Sequence, residues 1–113
     1  MERITEYRTL LQQLMTALAR TAPGNGDIET VALFDQERDQ YQVREYGWNG
    51  DNRRVFAVLV HARIRDGRIW IEREGTAPGI AAQLVAAGVP HSDIVLAFYP
   101  AWKRAYTDFA AVA

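Results

Sequence analysis

The chain contains no cysteine, one lysine, one serine and two histidines among its 113 residues. The absence of cysteine excludes disulfide bonds, a thiolate nucleophile and the usual structural zinc site. Apolar runs are also short, since none reaches the roughly 18 residues that a membrane span requires. Acidic residues near Met1 argue against a secretory signal. We therefore expect a cytoplasmic protein without membrane contacts.

An excess of charge of either sign is lacking as well. Thirteen Lys and Arg residues oppose fourteen Asp and Glu residues, giving a net charge of -1. Such a chain has no global field that would draw it onto a phosphate backbone, so we expect DNA contacts to be indirect or weak. The length, with 49% hydrophobic and 24% charged residues, is typical of one globular domain spanning residues 1–113.

The pattern of apolar residues predicts an α+β fold. Apolar residues at spacings of three and four predict an amphipathic helix over residues 4–19, followed by a Pro- and Gly-containing turn at 21–27. Segments rich in β-branched and aromatic residues then predict an antiparallel meander of about four strands: 28–34, 41–48, 55–65 and 68–74. The last two are separated by Asp66-Gly67, the dipeptide best suited to a two-residue type I′ turn.

The third strand is predicted to be central because apolar side chains occupy both of its faces. Strict alternation places one set on one face, namely Phe56, Val58, Val60 and Ile64. The other face receives Val55, Ala57, Leu59 and His61. The meander is predicted to expose unpaired strand edges. Because such edges are usually covered, we expect a homo-oligomer.

A short second helix follows Gly75. Thr76 is the predicted N-cap, Pro78 lies in the predicted first turn and Gly88 is the predicted C′ stop. Residues 94–99 read as a further strand or extended segment that Pro100 interrupts, and a short C-terminal segment of undecided structure completes the fold.

No pattern of catalytic, metal-binding or cofactor-binding residues is present. The two histidines lie on different elements, and Ser92 stands directly between His91 and Asp93, where adjacent residues cannot form a catalytic triad. Asp35, Glu37 and Asp39 could hold magnesium in a nuclease, but Lys103 is the only lysine available to such a site. We therefore expect no enzyme, no cofactor and no metal, and the nuclease is the least favoured alternative.

Aromatic residues are the more informative group. The three tryptophans fall on different elements, so at least one is predicted to lie at a surface and anchor an interaction. The candidate surface residues are Trp48, Trp70, Trp102, Lys103, Arg104 and Tyr106. The alternative is that all three tryptophans merely cover the sheet.

A run of short motifs in fixed order resembles the XisI family, the fdxN element excision controlling factors. The motifs include Gly26-Asp27-Ile28-Glu29, Gly47-Trp48-Asn49-Gly50, Gly67-x-Ile69-Trp70-Ile71, Gly88-Val89-Pro90 and Lys103-Arg104-x-Tyr106. The resemblance runs from the first helix to the C-terminal segment. It implies a role in controlling excision of a DNA element in nitrogen-fixing cyanobacteria, together with an XisH-like partner of nuclease-like fold. It supplies no catalytic residues.

Three functions therefore remain open. The first is a regulatory module that binds an XisH-like protein. The second is a recombination accessory factor that contacts DNA phosphates directly through Arg53, Arg54, Lys103 and Arg104. The third is the magnesium-dependent nuclease.

Overall fold

The computed structural model describes residues 2–21 and 27–112. Most of the turn predicted at 21–27 lies outside the described residues. Helix α1, Glu2–Thr21, extends the predicted helix at both ends. Tyr7, Leu11 and Met15 recur every four residues on one side of α1 and are buried. Burial of this stripe against the sheet fixes the helix on one face, called here the inner face.

The sheet contains five strands in chain order: β1 Asp27–Asp35, β2 Gln40–Asn49, β3 Arg53–Arg65, β4 Arg68–Glu74 and β5 Ile94–Leu96. The first four form the predicted antiparallel meander, and β5 pairs with β4 in parallel. The α+β class is thus confirmed. Within the described residues, no helix is both long enough and apolar enough to cross a membrane.

Two sequence predictions about the sheet hold in detail. The turn between β3 and β4 has φ of 54° at Asp66 and 77° at Gly67, the left-handed backbone of a type I′ turn. β3 is central in the strand order. The fifth strand is shorter than the predicted 94–99, because the chain turns after Leu96 and the Tyr99 amide donates to the Leu96 carbonyl at 3.1 Å.

The predicted division of β3 into two faces was wrong. Val60 pairs with Val43, but Val58 pairs with the next residue, Arg44, so Leu59 is an extra residue that forms a β-bulge. The bulge reverses the alternation, and Phe56 therefore lies on the face opposite Val60. Phe56 is 61% exposed, so β3 is central without being covered on both faces.

The second helix, α2, begins later than predicted and has a different cap. It spans Ile80–Ala86, so Pro78 precedes it, and Gly79 rather than Thr76 is its N-cap residue. The acceptor that caps α2 belongs to β4 instead, since the Ala81 amide donates to Glu74 Oε2 at 2.8 Å.

The C-terminal end of α2 is the predicted one. Gly88 has φ of 103°, a left-handed conformation that glycine adopts without strain. The amides of Gly88 and Val89 donate to the carbonyls of Val85 and Leu84, as in a Schellman motif.

The two faces of the sheet differ in how they are covered. α1 and α2 pack on the inner face. On the other face, the segment that contains Ala110 and Val112 covers Trp70 and Val95. This segment follows the short helix α3, Ala101–Arg104. The outward side chains of β1, β2 and β3 have no such cover from the described residues, and we call this surface the open face.

Candidate interaction surfaces

Five side chains of the open face form an alternating series of rings and guanidinium groups, called here the arginine–aromatic ladder. Its members, in spatial order, are Trp48, Arg54, Phe56, Arg44 and Tyr46. The Arg54 guanidinium lies 5.6 Å from the Trp48 ring centre and 5.8 Å from that of Phe56. The Arg44 guanidinium lies 4.8 Å from the Phe56 ring centre and 5.6 Å from that of Tyr46. These distances allow cation–π attraction along the whole series.

Strand register brings the ladder together. Trp48 pairs with Arg54 across β2 and β3, and Tyr46 pairs with Phe56 two residues further along. Directly paired residues share a face, so all of these side chains point to the same side. The bulge at Leu59 decides which side, because it turns Phe56 away from the core.

The arginines of the ladder are poorly provided with hydrogen-bond acceptors. Arg54 donates to the Gly47 carbonyl at 3.2 Å. Arg44 Nε is buried and has no hydrogen-bond partner among the described residues. A buried donor without an acceptor costs folding free energy.

A second surface surrounds α3, and we call it the C-terminal aromatic cluster: Phe98, Tyr99, Trp102, Lys103 and Tyr106. Trp102 is 70% exposed and Tyr106 84% exposed. Lys103 Nζ lies 4.3 Å from the Tyr99 ring centre, and the Tyr99 and Phe98 rings are 4.6 Å apart. The cluster thus combines large apolar area with a single positive charge.

Arg104 holds this cluster in place from beneath. Its Nε donates to the carbonyls of Tyr99 at 2.9 Å and Leu96 at 3.3 Å, and its Nη1 donates to that of Val112 at 2.8 Å. The guanidinium also lies 5.8 Å from the Trp70 ring centre. Arg104 is therefore occupied by the protein itself, which leaves it poorly placed to contact a DNA phosphate.

The structure separates the six residues singled out from the sequence. Trp48 belongs to the open face, whereas Trp102, Lys103 and Tyr106 belong to the C-terminal aromatic cluster. Trp70 is 7% exposed, and its indole N–H donates to the Arg65 carbonyl at 2.9 Å.

Sequence reasoning missed three ladder residues: Arg44, Tyr46 and Phe56. Its rule of strict alternation assigned Phe56 to the same face as Val60. No local signal in the sequence marks the bulge, so pairing with β2 is needed to find it.

Two of the three acidic residues considered for a nuclease, Asp35 and Asp39, make structural contacts. Asp35 accepts hydrogen bonds from the Arg38 amide and side chain, and these bonds lower the pKa of its carboxyl. Hydrogen bonds from Arg8 lower the pKa of Asp39 in the same way. Across residues 2–21 and 27–112, no group of three His, Asp or Glu side chains is arranged to hold a metal ion.

The two histidines lie apart. His61 is on the open face, where its Nε2 lies 2.8 Å from Gln40 Oε1, and burial lowers its pKa. The ring centre of His91 lies 5.2 Å from that of Phe109.

Comparison with known proteins assigns the family. A family model described as XisI protein matches residues 1–111. The chain belongs to the XisI family. No curated protein matches this XisI-family chain at a significant level.

Two solved structures confirm that the XisI fold extends over the chain. An XisI-like protein from Anabaena variabilis ATCC 29413 is 36% identical, with a TM-score of 0.88, and the match covers 96% of this chain and 98% of that one. The fdxN element excision controlling factor XisI from the same organism is 32% identical, with a TM-score of 0.84 and coverage of 97% and 99%.

Proposed function

We propose that this XisI-family chain is an accessory factor that controls excision of a DNA element, and that it acts by binding an XisH-like protein of nuclease-like fold. Family membership supports the role in excision, since a solved relative is described as an excision controlling factor. A regulator that works through a second protein needs a binding surface and no catalytic site of its own.

The observation that carries the proposal is the exposure of Trp102 on α3 and of Tyr106 directly after it. Both rings are among the most exposed large hydrophobic side chains of the described residues, at 70% and 84%. Exposed Trp and Tyr held on a fixed scaffold are typical of binding hot spots, because they bury much area at little cost in side-chain entropy. Arg104 supplies that scaffold through its bonds to the Tyr99 and Val112 carbonyls.

Direct DNA binding is the weaker alternative. Of its four candidate phosphate ligands, Arg104 is bonded to backbone carbonyls and Lys103 lies over the Tyr99 ring. Arg54 stacks between Trp48 and Phe56. Three of the four are thus engaged within the chain, and the exposed Arg53 alone does not make a phosphate-binding stripe.

The test is co-expression with an adjacent XisH-like protein, followed by affinity capture at moderate salt. We expect a stable complex that is lost in Trp102→Ala and Tyr106→Ala and kept in Arg20→Ala, which removes an exposed side chain from α1. Failure of the wild-type chain to capture the XisH-like protein would contradict the proposal. Binding to duplex DNA alone that weakens steeply with salt would favour the alternative.

A further inference from the structure

We propose that the open face is the interface through which two copies of this chain pair, sheet against sheet, with Asp27 of each copy facing Arg54 of the other. The inference concerns a surface other than the C-terminal aromatic cluster and does not depend on the proposed function.

The open face carries apolar groups that water would otherwise surround. Leu33, Trp48 and Phe56 are 40%, 46% and 61% exposed, and Val31 and Val58 lie among them. A contiguous apolar patch rimmed by charges is typical of an interaction site. The bulge at Leu59 creates much of this patch by turning Phe56 outward, and bulges commonly redirect side chains at functional positions.

Residues that pair directly across β1, β2 and β3 form rows across the open face, and one of these rows carries a charge at each end. Asp27 on β1 pairs with Trp48 on β2, which pairs with Arg54 on β3. The row thus has a negative end and a positive end. A surface with both charges at fixed places can pair with its own rotated copy, which is the requirement for an isologous interface.

Aligned packing of two sheets satisfies this requirement. A twofold axis parallel to the strands and close to β2 lays β1 of one copy over β3 of the other, at the same height along the strands. Asp27 then meets Arg54 of the second copy, and the pairing occurs twice. Two sheets packed face to face adopt nearly aligned strand directions, so the geometry is an ordinary one.

The neighbouring rows fit the same arrangement. Glu29 lies in the row of Tyr46 and Phe56, and Arg44 lies in the next row. Rows on one face are about 7 Å apart along the strands, within reach of an arginine side chain. The Glu29 carboxylate of the second copy is therefore placed within reach of the Arg44 guanidinium.

A single-stranded nucleic acid fits this face less well. Its bases would need free ring faces for stacking, yet Arg44 and Arg54 already lie over the rings of Tyr46, Phe56 and Trp48. The carboxylates of Asp27 and Glu29 on the same face would also repel phosphates.

Sedimentation equilibrium of the full chain tests the interface. We expect a monomer–dimer equilibrium for the wild type. Asp27→Arg and Arg54→Asp should each weaken the dimer by about tenfold or more, because each places like charges opposite one another at two symmetric positions. The double variant should recover affinity to within about threefold of the wild type, since it restores both pairs with reversed charge.

Two further variants serve as a second test of the interface and as a control. Phe56→Ser should weaken the dimer without changing charge, and Arg20→Asp on α1, away from the open face, should leave it intact. Circular dichroism confirms that each variant is folded.

Several results would overturn the proposal. The first is a wild-type chain that stays monomeric at micromolar concentration. The second is a dimer whose affinity neither charge reversal changes, and the third is a double variant whose dimer affinity does not recover. Loss of XisH-like capture in Arg54→Asp, with a monomeric wild type, would assign the face to that protein. Retention of the wild type on single-stranded oligonucleotide beads, lost in Arg54→Asp, would assign it to nucleic acid.

Discussion

The guanidinium of Arg8 donates two hydrogen bonds to the carboxylate of Asp39, from Nε to Oδ1 at 2.8 Å and from Nη2 to Oδ2 at 3.0 Å. The hydroxyl of the buried Tyr41 donates to the same Oδ1 at 2.9 Å. Asp39 lies in the turn between β1 and β2, so these bonds attach α1 to the end of the sheet.

Acid should weaken this attachment. The bonds from Arg8 hold the pKa of folded Asp39 below its ordinary value of 3.8, so the folded state binds its proton less readily than the unfolded chain. The stabilisation is complete above the ordinary value and is lost as the pH falls through the lowered one. Urea unfolding should be measured at a series of pH values. We expect the urea concentration at the midpoint to decrease as the pH is lowered below 4. Asp39 has a positive φ of 54°, which asparagine tolerates. Asp39→Asn should therefore flatten that dependence, and an unchanged slope would contradict the assignment.

The capping of α2 by Glu74 predicts coupled mutations. Glu74→Ala should cost about 1 kcal/mol of unfolding free energy, since the Ala81 amide loses its acceptor. Gly79→Ala should cost a similar amount, because the new Cβ would lie 2.3 Å from Glu74 Cδ and displace the carboxylate. In the Glu74→Ala background, Gly79→Ala should be neutral or stabilising by up to about 1 kcal/mol.

The coupling between the two positions is measured by chemical denaturation of the wild type, the two single variants and the double variant. Thr76→Ala is the control, expected to change stability by less than about 0.5 kcal/mol, because the Thr76 hydroxyl donates only a long bond of 3.4 Å to the Pro78 carbonyl. Additive costs for Glu74→Ala and Gly79→Ala would show that the carboxylate is not the cap.

Arg104→Lys should destabilise the chain by about 2 kcal/mol, since an ammonium group cannot reach the Tyr99 and Val112 carbonyls together. Hydrogen exchange should become faster at the Ala110 amide, which donates to the Ile94 carbonyl at 2.9 Å. Lys103→Ala is the matched change at the neighbouring position, and its effect should stay within about 0.5 kcal/mol. Equal effects at the two positions would contradict the structural role of Arg104.

Deletion of Leu59 tests the bulge. Without the extra residue, Val60 follows Val58 directly, so regular alternation keeps Val58 opposite Arg44 and Phe56 on the open face. The register with β2 is preserved, and we expect a loss of only about 1 to 2 kcal/mol, from the half-buried Leu59 side chain. Leu59→Ala keeps the bulge and removes most of the same half-buried side chain, so it should cost a similar amount. Urea unfolding compares the two variants. A deletion that costs about 3 kcal/mol more than Leu59→Ala would refute the assignment of Leu59 as the extra residue, because deletion of a regularly paired residue would turn Phe56 into the core.

Much of this fold could be predicted from local patterns. The period of Tyr7, Leu11 and Met15 indicates α1, and Asp66-Gly67 indicates the hairpin, because helix amphipathicity and turn chemistry depend on neighbours in sequence. The cap of α2 could not be predicted in this way. Its acceptor belongs to Glu74 in the preceding strand, and only the folded chain brings that carboxylate to the Ala81 amide.

The candidate surfaces were predicted only in part. Trp102 and Tyr106 stand out by residue type and are exposed. Trp70 and Arg104 are equally prominent in the sequence, but their side chains are held by hydrogen bonds to the backbone carbonyls of Arg65 and Val112. Phe56 reaches the open face through a pairing shift that the alternation of β3 does not reveal.

The strand order of the sheet bears on how the chain folds. Because β1 to β4 follow one another in space as they do in sequence, each new strand can add to its predecessor by closing a short loop, at small cost in chain entropy. The parallel strand β5, the α1 stripe and the packing of Ala110 on Trp70 join parts of the chain that are far apart in sequence. We expect the meander to assemble early and these three contacts to form last, so that the open face is presented before the C-terminal aromatic cluster exists.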